Sequence, residues 1–184
     1  MAKTAWRGGA LIAPVPPAMI SCGTMETSNI IKESGEFVIN LTTEALIHAA
    51  DYCGMYTGAK VDKFAVCELH KEEVPGFSCP MIAESPLSLA CRVTEIVPMG
   101  SHDMFIADVV AVHVDESLID AAGKLHLEHA HLAAYAHGEY YGLGKKLGWF
   151  GFSAVKKKKK KPAPHAQTQS QPHKKKSEKH KPKA

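Results

Sequence analysis

The chain has 184 residues, a formal net charge of +3 and 45% apolar residues, enough for one domain with a buried core and too little for a second full one. The charge is unevenly spread: residues 156–184 hold 12 of the 22 Lys and Arg and one of the 19 Asp and Glu, so this tail carries about +11 and residues 1–155 about −8. No apolar run reaches membrane-spanning length, no secretory leader opens the chain, and the five cysteines lack paired spacing, so we expect reduced thiols, no membrane insertion and a cytoplasmic location.

In chain order, Ala10 to Ala13 is a short apolar run broken by Pro14, Pro16 and Pro17, and Ala18-Met-Ile-Ser-Cys22 resumes as a strand. Asn29-Ile-Ile-Lys-Glu33 reads as a short helix with Ser28 as its cap and Gly35 just past its end. Phe37 to Leu41 is a strand. An amphipathic helix follows Thr42 or Thr43, with Leu46, Ile47, Ala50 and Cys53 at helical spacing and Gly54 as its stop. Asp62-Lys-Phe-Ala-Val-Cys67 starts another short helix, and Val74-Pro-Gly-Phe77 is a turn. Leu87 to Val97 alternates as a half-buried strand, Pro98-Met-Gly-Ser-His102 turns it, and Asp103 to Val114 returns as its partner. After an Asp120-Ala-Ala-Gly-Lys124 turn, Leu132 to Tyr141 reads as a packed terminal segment. Antiparallel strands with a few short helices predict a mainly β fold, a barrel of Greek-key type over 1–155, and a disordered lysine-rich tail over 156–184.

Several segments occur together in one order: Ile30-Ile-Lys-Glu-Ser-Gly-Glu-Phe-Val-Ile-Asn-Leu41, Ala50-Asp-Tyr-Cys-Gly54, Asp62-Lys-Phe64, Leu89-Ala-Cys-Arg-Val93, and Ala136-His-Gly-Glu-Tyr-Tyr-Gly-Leu-Gly144. Through them the chain resembles the flavin reductase-like proteins of the flavoredoxin group. The resemblance implies an FMN-binding split β-barrel, commonly a homodimer with flavin near the subunit interface. It also implies electron transfer from NADH or NADPH through FMN to free flavin or a redox partner, the chemistry being the cofactor's. The family carries a further N-terminal strand before the segment matched by Thr4-Ala-Trp6, leaving open whether one barrel strand is missing here. It also carries an Arg near the flavin phosphate in the loop that corresponds to residues 23–28, where this chain has no basic residue. Phosphate binding then falls to Thr27, Ser28, backbone amides at the helix start and Lys63.

Each candidate has two readings. Asn40 either bonds the flavin ring or satisfies turn backbone. Cys53 and Gly54 approach the cofactor, or pack and stop a helix. Lys63 and its neighbour Phe64 lie against the cofactor, or Lys63 is a solvated lysine. Trp6 stacks on the ring or belongs to the core, and His137 meets the flavin or orients Tyr140 or Tyr141. His126, His129 and His131 show no recognised ligand pattern, so no metal site is expected. The lysine tail binds polyanions without sequence specificity, or is a solvated appendage. A non-catalytic split-barrel protein tethered by that tail, and an electron carrier that does not use NAD(P)H directly, are the alternatives to a reductase.

Overall fold

The computed structural model describes residues 3–6, 18–22 and 25–154. Two compact units divide the chain, Met1–Lys145 and Lys146–Ala184. The proline-broken run over 10–17, the beginning of the 23–28 loop and the lysine-rich tail lie outside the described residues.

In the first unit the elements run β1 (Lys3–Trp6), β2 (Ala18–Cys22), α1 (Met25–Ser34), β3 (Glu36–Asn40), a 3-10 turn (Glu44–Leu46), α2 (Ile47–Met55) and α3 (Lys63–Val66). Then come β4 (Lys71–Glu72), β5 (Met81–Ile82), β6 (Leu87–Pro98), β7 (Asp103–Asp115), 3-10 turns at Glu116–Leu118 and Leu127–His129, β8 (Ala133–Ala136) and β9 (Glu139–Gly142). The second unit contributes a 3-10 turn at Phe152–Ala154, with the Trp149 and Phe152 rings 6.0 Å apart.

The β6–β7 hairpin is the spine of the main sheet. Its turn closes through Met99 N–H donating to the His102 carbonyl at 2.8 Å, with Gly100 at φ +81°, a conformation glycine adopts without a Cβ penalty. β1 and β2 share the outer edge of β7, pairing with opposite ends of it, and β3 pairs with β6. All pairings in this five-stranded sheet are antiparallel. The mainly β, antiparallel architecture with short helices is as expected, although the hydrogen-bonded ladder stays open among the described residues. Two register shifts in β6, at Ala90/Cys91 and between Val93 and Glu95, bend the sheet.

Both faces are covered. Ile31, Phe37, Cys91, Phe105 and Ala107 form one cluster, while Val74, Met81 and Ala90 form another. Consecutive β6 residues Ala90 and Cys91 thus serve separate apolar layers. A third cluster, centred on Leu87, Val112, Val114 and Leu118, packs under the segment that follows β7.

Three local expectations need correction. α1 begins at Met25, so Ser28 is inside the helix rather than its cap. Its buried hydroxyl donates to the Asp103 carboxylate at 2.5 Å, and Lys32 Nζ lies 2.7 Å from the same group. A tertiary carboxylate has displaced the local backbone as partner. The helix does end as expected, with Gly35 at φ +70° and its N–H donating to the Ile31 carbonyl at 2.9 Å. Gly54 does not stop α2, which runs one residue further and closes with Tyr56 N–H on the Tyr52 carbonyl. A Cβ on Gly54 would meet nothing within 4 Å, and its φ does not fall in the left-handed range, so neither space nor conformation makes it a terminus. Finally, residues 132–141 are not a packed segment. β8 and β9 form a hairpin whose Tyr135, Tyr140 and Tyr141 are exposed, turned by His137 (φ 53°) and Gly138 (φ 85°).

Candidate functional site

Where β3 ends, the chain has no more sheet to pair with and swings into α2. Leu41 N–H donates to the Leu87 carbonyl at 2.9 Å, holding the turn to the sheet, and α2 leaves across the end of β3. A cleft of about 130 Å³ opens between them, lined by Asn40, Leu41, Leu46, Ala50, Cys53 and Ile82 among others. Its wall is apolar apart from one amide and the edges of the turn. α2 is rich in apolar residues, yet none of them is fully buried.

Asn40 sits at the floor. Its Oδ1 accepts from Ile82 N–H and from Ser88 Oγ, each at 2.9 Å, so the carbonyl half of the amide ties three strands together. The amide nitrogen makes only a 3.5 Å contact with the Val38 carbonyl, at the weak limit of hydrogen bonding. The donor end is therefore the half with capacity to spare.

At the far end of α2, Lys63 Nζ donates to the Cys53 carbonyl at 2.8 Å. A cation at a helix C-terminus satisfies an orphan carbonyl and complements the helix dipole. Lys63 is placed there by α3, which Asp62 caps by accepting from Phe64 N–H at 3.0 Å and Ala65 N–H at 3.3 Å. Half-buried Phe64 follows, with Lys71 Nζ 4.9 Å from its ring centroid. Burial raises the Cys53 thiol above its usual range, and the neighbouring Cys67 thiol adds to that, while Lys63 opposes it.

The remaining candidates stand apart from this cluster. Thr27 is exposed on α1, one residue past Glu26, whose carboxylate accepts from Thr57 Oγ1. Through that bond the first turn of α1 meets the loop after α2. Trp6 lies on β1 with its backbone opposite Val112, and exposed His137 occupies the β8–β9 turn. The structure thus brings Asn40, Cys53, Gly54 and Lys63 around α2, leaves Phe64 on α3 beside Lys71, and sets Thr27 and Ser28 on α1.

The sequence reading missed what pins the turn before α2 and the outward flank of the helix. Thr43 bridges to Leu132, Glu44 N–H donates to the His131 carbonyl at 2.9 Å, and Ala133 N–H donates to the Thr42 carbonyl at 3.0 Å. Tyr140 donates its hydroxyl to Asp51 at 3.1 Å. Desolvation and that carboxylate raise the Tyr140 phenol above its ordinary value, keeping it a donor. At Gly142 the backbone comes so near Glu44 that an added Cβ would lie 2.2 Å from its carboxylate oxygen. Only the glycine hints at this in the sequence; the pairing partners are some ninety residues away.

Comparison with known proteins places these features in a family context. A family model described as flavin reductase like domain matches residues 13–144. An uncharacterised protein of Archaeoglobus fulgidus is 34% identical over 86 residues, covering 47% of this chain and 49% of that protein, so the match spans about half the relative's length. Among solved structures, the flavoredoxin of Desulfovibrio vulgaris (Miyazaki F) is 26% identical at a TM-score of 0.67, covering 74% of this chain and 76% of that one. The flavoredoxin from Methanosarcina acetivorans is 25% identical at a TM-score of 0.66, with 82% and 81% covered.

Proposed function

The chain belongs to the flavin reductase like family, with its mainly β split-barrel fold, and from that membership we propose that it is an FMN-dependent oxidoreductase. The observation that supports the cofactor's position is the α2 cleft, which offers an apolar wall and one amide with an unused donor, the combination a flat polar ring needs. FMN, when bound, supplies two-electron chemistry between NADH or NADPH and an acceptor, either free flavin or a redox partner.

The protein's part is placement. Asn40 Nδ2 would hold the ring edge as a donor, while Leu46, Ala50 and Cys53 would exclude water from one side. Lys63 locks α2 to α3 and brings positive charge toward an anionic ligand. Thr27, on the exposed side of α1, and the neighbouring Thr57–Gly58 loop are the polar groups available to a phosphate. At about 130 Å³ the cleft is smaller than the roughly 300 Å³ typical of whole-ligand pockets, which favours a homodimer in which a second copy completes the site.

Adding FMN to the purified full chain and recording the visible spectrum tests the cofactor. Retained, perturbed flavin absorbance is expected; a colourless protein that takes up no FMN overturns the proposal. The likeness to two flavoredoxins favours a second reading, an electron carrier that does not use NAD(P)H directly. Bleaching of bound flavin by NADH or NADPH distinguishes the reductase from the carrier, which bleaches only with a reduced partner.

A further inference from the structure

A second site lies away from the cleft, in the segment between β7 and β8. Asp120 organises it. Its Oδ1 accepts from Ala122 and Lys124 N–H, both at 2.9 Å, which fixes the carboxylate in its turn. Its Oδ2 contacts His126 Nε2 at 2.9 Å, so the imidazole is held through that nitrogen and presents Nδ1 on the opposite edge. There Glu128 Oε1 lies 3.2 Å from His126 Nδ1. The 3-10 turn Leu127–His129 supplies the third group. With about three residues per turn, residues i and i+3 eclipse, and the His126 and His129 rings stack at 5.3 Å and 11°. One donor atom each of His126, Glu128 and His129 falls within 4.8 Å of the others.

We propose that His126, Glu128 and His129 form a surface site for a divalent transition-metal cation of the zinc type, with Asp120 as the carboxylate that orients His126. Ligand bonds of about 2.1 Å at a tetrahedral angle separate their ligand atoms by about 3.4 Å, close to the His126–Glu128 distance. His129 and Glu128 are exposed, and their side chains are free to close the difference of up to about 1.4 Å between the 4.8 Å spread and that tetrahedral spacing. Two imidazoles and one carboxylate select zinc, nickel or cobalt over calcium or magnesium, which prefer all-oxygen sets. A carboxylate behind a ligating histidine fixes the tautomer and ring orientation. Three protein ligands leave a position for water. Bound metal would clip the segment whose base is the Ile119–Leu125 bridge.

The chain has eleven histidines and five cysteines that compete for metal, so the test compares variants of the full chain. Zinc sulfate is titrated calorimetrically into wild type, H129Q, H126Q/H129Q, D120N and, as control, H131Q. Wild type and H131Q are expected to take up one equivalent that the double variant lacks, H129Q to bind at least tenfold more weakly, and D120N to lose about 10–100-fold. His129 is exposed, and replacing its ring leaves its backbone N–H bond to the His126 carbonyl in place, so H129Q remains informative if H126Q/H129Q unfolds. Zinc binding unchanged in H129Q or the double variant, or equal loss in H131Q, overturns the proposal, as does a wild type that binds no zinc.

Discussion

α1 and α2 lead to opposite outcomes from opposite compositions. α1, Met-Glu-Thr-Ser-Asn-Ile-Ile-Lys-Glu-Ser, is polar, yet Ser28 and Ile31 are buried; α2, Ile-His-Ala-Ala-Asp-Tyr-Cys-Gly-Met, is apolar, yet none of its residues is. The difference lies in what faces each helix. α1 sets Ile31 into the Phe37–Phe105 cluster and is moored by Lys32 and Ser28 to Asp103. α2 is held by contacts at its ends and one flank: the Thr43–Leu132 bridge, Lys63 on the Cys53 carbonyl and Tyr140 on Asp51. One helix is glued by its face; the other is pinned by polar contacts and keeps its apolar side toward a cleft.

The sharpest way to break this comparison is a pair of truncations. Ile31→Ala should cost about 2–5 kcal/mol in denaturant unfolding, as deletion from a closed core does. Leu46→Ala, at the half-buried start of α2, should cost less than half as much but weaken FMN uptake, measured by fluorescence quenching. Equal stability losses would make α2 a core helix after all. Next in size, Asp62→Ala removes the α3 cap and should cost about 0.5–2 kcal/mol. Hydrogen exchange should localise the loosening to α3 and the end of α2, where Lys63 sits, and leave α1 protected.

The smallest effect is pH-dependent. The Lys32 ammonium and Ser28 hydroxyl hold the Asp103 carboxyl below its usual range. A carboxyl lowered in the folded state contributes stability that is complete above its unfolded pKa, about 3.9, and is lost as pH falls through the folded value. Asp103→Asn should therefore unfold more readily than wild type near neutrality, with the two acid-unfolding curves, followed by circular dichroism, converging at low pH. A constant offset across the whole range would mean that packing, not charge, moors α1.

The β6–β7 hairpin, the Gly35 stop, the Asp62-led helix and the Val74–Phe77 turn were legible because their causes are local: alternation, a left-handed glycine, a capping carboxylate, a Pro-Gly pair. The turn closes as expected, with Phe77 N–H on the Val74 carbonyl at 3.0 Å. Ser28 was misread because a distant carboxylate outcompetes the local cap, and Gly54 because a glycine near a helix end need not be its stop. Asn40 is legible as a strand-end amide, but the two hydrogen bonds its Oδ1 accepts from Ile82 and Ser88 depend on strands more than forty residues later. His126 and His129 show no recognised ligand pattern as a sequence, because their i, i+3 spacing acquires meaning only in a 3-10 turn that also brings up Glu128.

The distance along the chain between the partners that pin α2 has a kinetic consequence. Asp51 and Tyr140 are 89 residues apart, as are Thr43 and Leu132, whereas β6 and β7 are joined by a four-residue turn. Contacts of such separation follow costly loop closure, so the hairpin should organise early and the contacts that pin α2 late. Side-chain deletion at Tyr140 should then speed unfolding while leaving the refolding rate nearly unchanged. The contacts that pin α2 are expected to be the last part of the main sheet's surroundings to form.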